Sequence, residues 1–200
     1  MKQKRKDKLY ISDGNIRMKI PTFSLPTGKT CRGKTEHCEK FCYAKKAEVC
    51  YKGVVISRDN NFRLSKKRNF TIEMCKIIAR KKGKYIRIHE SGDFYNQKYL
   101  NKWIEICKIF PNKKFLAYTQ SYDLDFSKKP KNLVVYYSVW DDSKNVPKKG
   151  LYAYAIDNGN GKLATYKIPK THLCKKSATL TCDECLFCYE GMGNVSFKLH

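Results

Sequence analysis

Cys31, Cys38 and Cys42 fall within the stretch TCRGKTEHCEKFCYA, residues 30–44, with Lys, Glu, Arg and Gly crowding the positions between them. Cysteines used for packing sit among apolar neighbours, and these three do not. A short polar loop that gathers thiolates is a common way to hold a soft metal or an iron–sulfur cluster. Gly28 and Gly33 relax the backbone so that separate thiols can converge. Three thiols leave one position of a four-iron cluster without a local cysteine, to be filled by a cofactor, water or a distant thiol. Cys50 is the spare that could close it. Cys75 and Cys107 fall on or near apolar helix faces and are expected in the core.

A second thiol group closes the chain. Cys174, Cys182, Cys185 and Cys188 follow the pattern C-x7-C-x2-C-x2-C. Spacings of x2 let neighbouring sulfurs face one metal centre. Four ligands complete either a structural zinc tetrahedron or a [4Fe–4S] cluster, and the doubled x2 spacing leans towards iron–sulfur.

The elements that must position these groups alternate. A helix capped by Ser57 or Asp59 is predicted to run to about Lys82, with Phe70, Met74, Ile77 and Ile78 on one face. A strand over Lys84–His89 follows, then a helix capped by Asn96, bearing Leu100, Trp103, Ile104 and Cys107, and closed by Pro111. Strands are predicted over Phe115–Thr119, Leu133–Ser138 and Leu151–Ile156, and a short one at Arg17–Ile20. Helix and strand in alternation imply βαβ units and a parallel sheet. The connections 120–132 and 140–150 lack helical periodicity, and eight complete βα units do not fit in 200 residues. The expected fold is an open, partial (β/α) barrel.

Ligands of parallel sheets bind at the carboxyl ends of the strands. Here those ends read His89-Glu90-Ser91-Gly92-Asp93, Thr119-Gln120-Ser121, Ser138-Val139-Trp140-Asp141-Asp142 and Asp157-Asn158-Gly159. Ser91, Asp93, Ser138 and Asp141 are the best rim candidates for cofactor or substrate contacts. His89 either lines the rim or points into the sheet, and no general base is assigned.

With 42 Lys+Arg against 18 Asp+Glu, the formal charge is +24. A field this positive attracts polyanions, so nucleic acid, DNA or RNA, is the expected partner. No apolar h-region follows the basic start, and no apolar run approaches the roughly 18 residues of a membrane helix. The expected location is the cytoplasm, a host's if the chain is phage-encoded, where thiols stay reduced and ten cysteines argue for metal binding over disulfides. The organisation predicted is a basic arm over residues 1–8, a barrel over 9–168 containing the thiol loop 31–42, and a cysteine-rich metal-binding appendage over 169–200.

TCRGKTEHCEKFCYA, YIRIHESGDFYNQKYLNKW, KFLAYTQS and the terminal C-x2-C-x2-C together resemble the phage gene product 88 family. The chain also looks like a distant relative of radical-SAM-like phage proteins. That resemblance implies a radical-SAM-like partial barrel in which Cys31, Cys38 and Cys42 bind a [4Fe–4S] cluster whose open iron chelates S-adenosylmethionine. It implies that Tyr43 lies close to the cluster, and that Glu90, Ser91, Gly92 and Asp93 form the strand-end segment near the methionine amino group. The spacing here is C-x6-C-x3-C, where radical-SAM enzymes usually have C-x3-C-x2-C. The function implied is an iron–sulfur protein acting on or bound to nucleic acid. The alternative is a non-catalytic nucleic-acid-binding protein stabilised by iron–sulfur or zinc.

Overall fold

The computed structural model describes residues 8–164, 166–174 and 180–199. The expected basic arm, apart from Lys8, lies outside them. Among these residues eight strands form one open sheet in the order β1-β2-β3-β4-β5-β6-β8-β7. They are β1 (Ile11–Ser12), β2 (Thr22–Phe23), β3 (Tyr85–Ile88), β4 (Lys114–Thr119), β5 (Leu133–Val139), β6 (Leu151–Ile156), β7 (His172–Leu173) and β8 (Val195–Lys198). Only β1 runs antiparallel, against β2; every other pairing is parallel.

The helices are α1 (Glu36–Lys40), α2 (Tyr43–Cys50), α3 (Lys52–Ser65), α4 (Phe70–Arg80), α5 (Gln97–Ile109), α6 (Cys182–Cys185) and α7 (Phe187–Glu190). None of the described helices is long and apolar enough to cross a membrane.

Strand side chains alternate between two cores, as the period of two requires. On one face Phe23, Ile86, Ile88, Phe115, Ala117, Leu133 and Val135 belong to a cluster with Phe70, Met74 and Ile78 of α4 and Leu100, Trp103, Ile104 and Cys107 of α5. On the other, Leu116, Tyr136, Ala153 and Val195 cluster with Ile20 and Tyr189, and Tyr118, Leu186, Cys188 and Phe197 pack beside them. The chain's last segment thus covers the face that the long helices leave open.

The four central strands lie where alternation and residue content predict them, and α5 begins on Asn96, whose side chain accepts from the Tyr99 amide at 2.9 Å. Three expectations differ. Residues 16–18 form a turn, because the Asn15 side chain accepts from the amides of Arg17 and Met18. The strand comes later, at Thr22–Phe23. The single helix to Lys82 is two: α3 starts at Lys52, absorbs Val54-Val55-Ile56 and ends at Ser65, and α4 restarts at Phe70. The expected helix covers most of α3 and all of α4 but not the break between them; the first turn of α3 is missed, and the side it buries is polar, carrying Arg58, Asn60, Asn61 and Ser65. Finally, the segment expected as an appendage is woven into the sheet: β8 lies between β6 and β7.

Trp103 is fully buried, its ring centroid 5.3 Å from Phe23 and 5.9 Å from Phe70. Trp103→Ala is expected to lower unfolding free energy by about 3–5 kcal/mol in urea titration. A loss under about 1 kcal/mol would contradict this packing.

Candidate metal centre

The thiol loop is fastened to three strand ends. Leu25 donates its amide to the Ser91 carbonyl at 2.9 Å, and the Ser91 hydroxyl donates back to the Leu25 carbonyl at 2.8 Å. Gly92, at φ +82°, lets the two segments close: a Cβ there would stand 2.5 Å from Thr30 Oγ1. Further along, a Cβ on Gly33 would stand 1.9 Å from the Gln120 carbonyl oxygen, so only glycine lets the loop lie on the end of β4. The Thr35 amide donates to Gln120 Oε1 at 3.1 Å, and the Thr35 hydroxyl caps α1 by accepting from the Cys38 amide. The His37 amide donates to Asp142 Oδ2 at 2.9 Å, beyond the end of β5.

The loop's entry and exit are also joined. Glu48 of α2 accepts from the Thr27 amide and hydroxyl and from Arg58 of α3. Burial works against the Glu48 carboxylate, yet these partners hold it below its ordinary range.

So held, the three thiols lie within electrostatic reach of one another and of Asp93. Cys38 sits in α1, and Cys42 occupies the residue before α2. Burial first, and then the Asp93 charge, pushes the Cys31 thiol up to about 11. Burial pushes Cys38 up to about 12, although a hydrogen bond with the Gln120 side chain opposes it. A metal reverses that balance, since a bound cation favours the thiolate. Three soft donors on a glycine-relaxed loop suit an iron–sulfur cluster.

Asp93 lies beneath them, 5 % exposed. Its Oδ1 accepts from the Thr119 hydroxyl at 2.7 Å and the Phe94 amide at 2.6 Å, and its Oδ2 from the Gln120 amide at 2.8 Å. Burial pushes its carboxyl up to about 6, against the pull of these donors.

The other residues expected at the rim divide. Tyr43 stands beside the thiols and donates its hydroxyl to the Glu90 carbonyl at 2.6 Å. The Glu90 carboxylate is half-buried and accepts from Asn15 Nδ2 at 3.0 Å. Ser91 and Asp93 turn inward and spend their side chains on neighbouring backbone or hydroxyls, so neither is a free rim group. Gly92 serves close packing. Ser138 is half-buried, and its carbonyl accepts from the Tyr122 hydroxyl. Asp141 bonds His37, Nδ1 to Oδ1 at 2.8 Å. His89 is no rim group: it is 3 % exposed, its Nε2 lies 2.9 Å from the Tyr99 hydroxyl, and burial pushes its pKa down to about 3.

Two site residues escape the sequence reading, His37 and Arg87, while Gln120 and Asp142 entered it only as members of the polar strand ends. Arg87 carries the clearest missed signal, a charge alternating with Ile86 and Ile88 in a buried strand. Its guanidinium carbon stands 4.0 Å from the Tyr118 ring centroid, and its Nε donates to the His89 carbonyl at 3.2 Å.

Of the second thiol group, Cys188 lies on the inner face beside Tyr118 and Arg87, with Cys182 and Cys185 in electrostatic reach. Burial raises its pKa, which Tyr118 and Arg87 counter. Cys174 packs against the same inner cluster and donates its amide to the Ser196 carbonyl at 2.8 Å. Arg87 feels both Tyr43, beside the first thiol group, and Cys188 of the second. Cys50 is exposed at the far end of α2, roughly 10 Å along the axis from Tyr43, and does not close the first group. Cys107 is buried and Cys75 packs against the helix-side core, as expected.

The family model described as Gene product 88 matches residues 1–157, and the chain belongs to that family. It is 28% identical over 206 residues to the Gene 88 protein of Mycobacterium phage L5, covering 88% of this chain and 86% of the relative. It is 28% identical over 156 residues to the Gene 88 protein of Mycobacterium phage D29, covering 68% of this chain and 65% of the relative. No solved structure matches.

The Asp93 carboxyl carries a pH signature. Its folded pKa lies above the ordinary 3.8, so its contribution to stability is complete below that value and is lost as pH rises through about 6. Asp93→Asn removes the dependence. The stability advantage of wild type over this variant is expected to shrink by roughly 2–3 kcal/mol between about pH 4 and pH 7, read from urea titrations. An advantage that stays constant or widens would exclude a buried carboxyl here.

Proposed function

We propose that this member of the gene product 88 family is an iron–sulfur protein of radical-SAM-like type, in which Cys31, Cys38 and Cys42 hold a [4Fe–4S] cluster. One observation carries the reading. Three thiols within electrostatic reach of one another lie on a loop tied to the carboxyl ends of three parallel strands, where α/β folds bind their ligands. When bound, such a cluster with an open iron supplies the electron for reductive cleavage of S-adenosylmethionine.

The chain's own residues then have distinct tasks. Gly33 and Gly92 set the loop's height over the sheet. Asp93 locks the ends of β3 and β4 beneath it. Tyr43 fixes α2 against the Glu90 carbonyl, and the Glu90 carboxylate, half-buried at the end of β3, is suited to the cofactor's amino group. Ser138 completes the rim. Cys174, Cys182, Cys185 and Cys188 hold a second metal, a cluster or zinc, against the inner face.

The substrate or partner in this reading is nucleic acid, on the strength of the +24 charge. A second reading, a non-catalytic metal-stabilised nucleic-acid-binding protein, draws on another observation. An open depression of about 640 Å³ at the amino edge of β5 and β6 is lined by Lys129, Lys131 and Lys149 together with Phe126 and Tyr137. Three lysines gathered at one depression suit contacts to a phosphate backbone. That depression lies at the opposite end of the strands from the thiol loop.

EPR of anaerobically reconstituted, dithionite-reduced protein separates the readings. A [4Fe–4S]⁺ signal that shifts on adding S-adenosylmethionine, and that is lost in Cys38→Ala, is the expected result. Signals indifferent to S-adenosylmethionine, or protein without iron at this site, would leave the second reading. For the nucleic-acid partner, replacing Lys129, Lys131 and Lys149 with Gln should flatten the slope of log affinity against log salt by about 2–3. A slope unchanged by the triple replacement would remove this depression as the contact surface.

A further inference from the structure

We propose that His37, Asp141 and Asp142 form a binding site for a single divalent cation of the kind that prefers nitrogen and oxygen ligands, such as Mn²⁺ or Fe²⁺. The site uses none of the thiols and does not rest on the reading above. One ligand atom from each residue lies within 4.8 Å of the others. His37 comes from α1, and the two aspartates follow the end of β5, more than a hundred positions later.

Each group has an atom to give. The Asp141 side chain is only 3 % exposed, and its Oδ2 is occupied by the Ala164 amide at 2.8 Å. That bond turns Oδ1 towards His37 Nδ1, 2.8 Å away, where a proton now bridges the pair. Asp142 uses Oδ2 to accept the His37 amide at 2.9 Å. Its Oδ1 is buried and has no hydrogen-bond partner among the described residues. A buried carboxylate oxygen without a donor is costly, and a cation is the natural remedy.

Charge points the same way. The chain carries +24, yet among the described residues neither Asp141 nor Asp142 is ion-paired to a lysine or arginine. Two carboxylates without a fixed cation in so basic a protein leave room for a mobile one.

One imidazole and two carboxylates suit the harder first-row divalent ions. The His37 side chain is 32% exposed, which gives the ion a way in and leaves coordination positions for water. Three protein ligands with open positions describe a reactive site rather than a closed structural one.

Mn²⁺ is the probe, because it avoids thiolates and its free-ion EPR signal disappears on binding. Wild type is expected to take up one Mn²⁺ per chain saturably. Asp142→Asn keeps an acceptor for the His37 amide and should weaken uptake at least tenfold. Glu73→Gln, which removes an exposed carboxylate of α4, should leave it unchanged, which separates this site from non-specific binding to surface carboxylates. If Asp142→Asn is poorly folded, His37→Gln replaces it, with the same tenfold loss expected. Absence of saturable uptake by wild type, or equal uptake by the folded carboxamide variant, would overturn the proposal.

Discussion

The buried Asp93 carboxylate is the constraint on which the site depends. Taking a charge out of water costs several kcal/mol, and the attraction of fixed donors must offset it. Here those donors are the Phe94 amide next to it and the Thr119 hydroxyl and Gln120 amide across the sheet. The ends of β3 and β4 are thereby held at one spacing. Gly92 and Gln120, the two places where the thiol loop touches the sheet most closely, inherit that spacing. A small displacement of either would shift the thiol loop, so the placement of Cys31, Cys38 and Cys42 is set one layer below it.

The sheet also joins the two thiol groups. Its outer face is sealed by α4 and α5, its inner face by the short turns that carry Cys182, Cys185 and Cys188. Arg87 stands on the inner face over the Tyr118 ring, within electrostatic reach of both Tyr43 and Cys188. A fixed positive charge in that position favours thiolate on Cys188 and anionic character generally on the inner face.

Much of this was legible in the residues, and the misses share a physical cause. Strand β3 announces itself by alternation, and β4 to β6 by their Val, Tyr, Phe and Ala content. Both thiol groups announce themselves by spacing and by the polar company of the first. The start of α3 and its separation from α4 stayed hidden because its inward side is Arg58, Asn60, Asn61 and Ser65, held by specific hydrogen bonds, where periodicity looks for apolar groups. Strand β8 stayed hidden because four residues after a glycine-rich turn give no pattern, and its pairing is decided by β6, some forty positions earlier. Polarity at a strand end did not tell which side chains face out. Ser91 and Asp93 look like rim groups and are internal fasteners. His37 with Asp141 is legible only in space, since chain distance hides the pair.

The strand order has a consequence for how the molecule is made. The sheet's seventh place is taken by Val195–Lys198, near the end of the chain, and β7 pairs with that strand. A ribosome delivers residues in sequence, and domains assemble as their segments emerge. The first seven strands can therefore be synthesised while β7 still has no neighbour and the inner face has no cover. Tyr118, Tyr136 and Arg87 stay accessible until the last segment arrives, and the cysteine turns arrive with it. Closure of that face and arrival of Cys182, Cys185 and Cys188 beside it are one event.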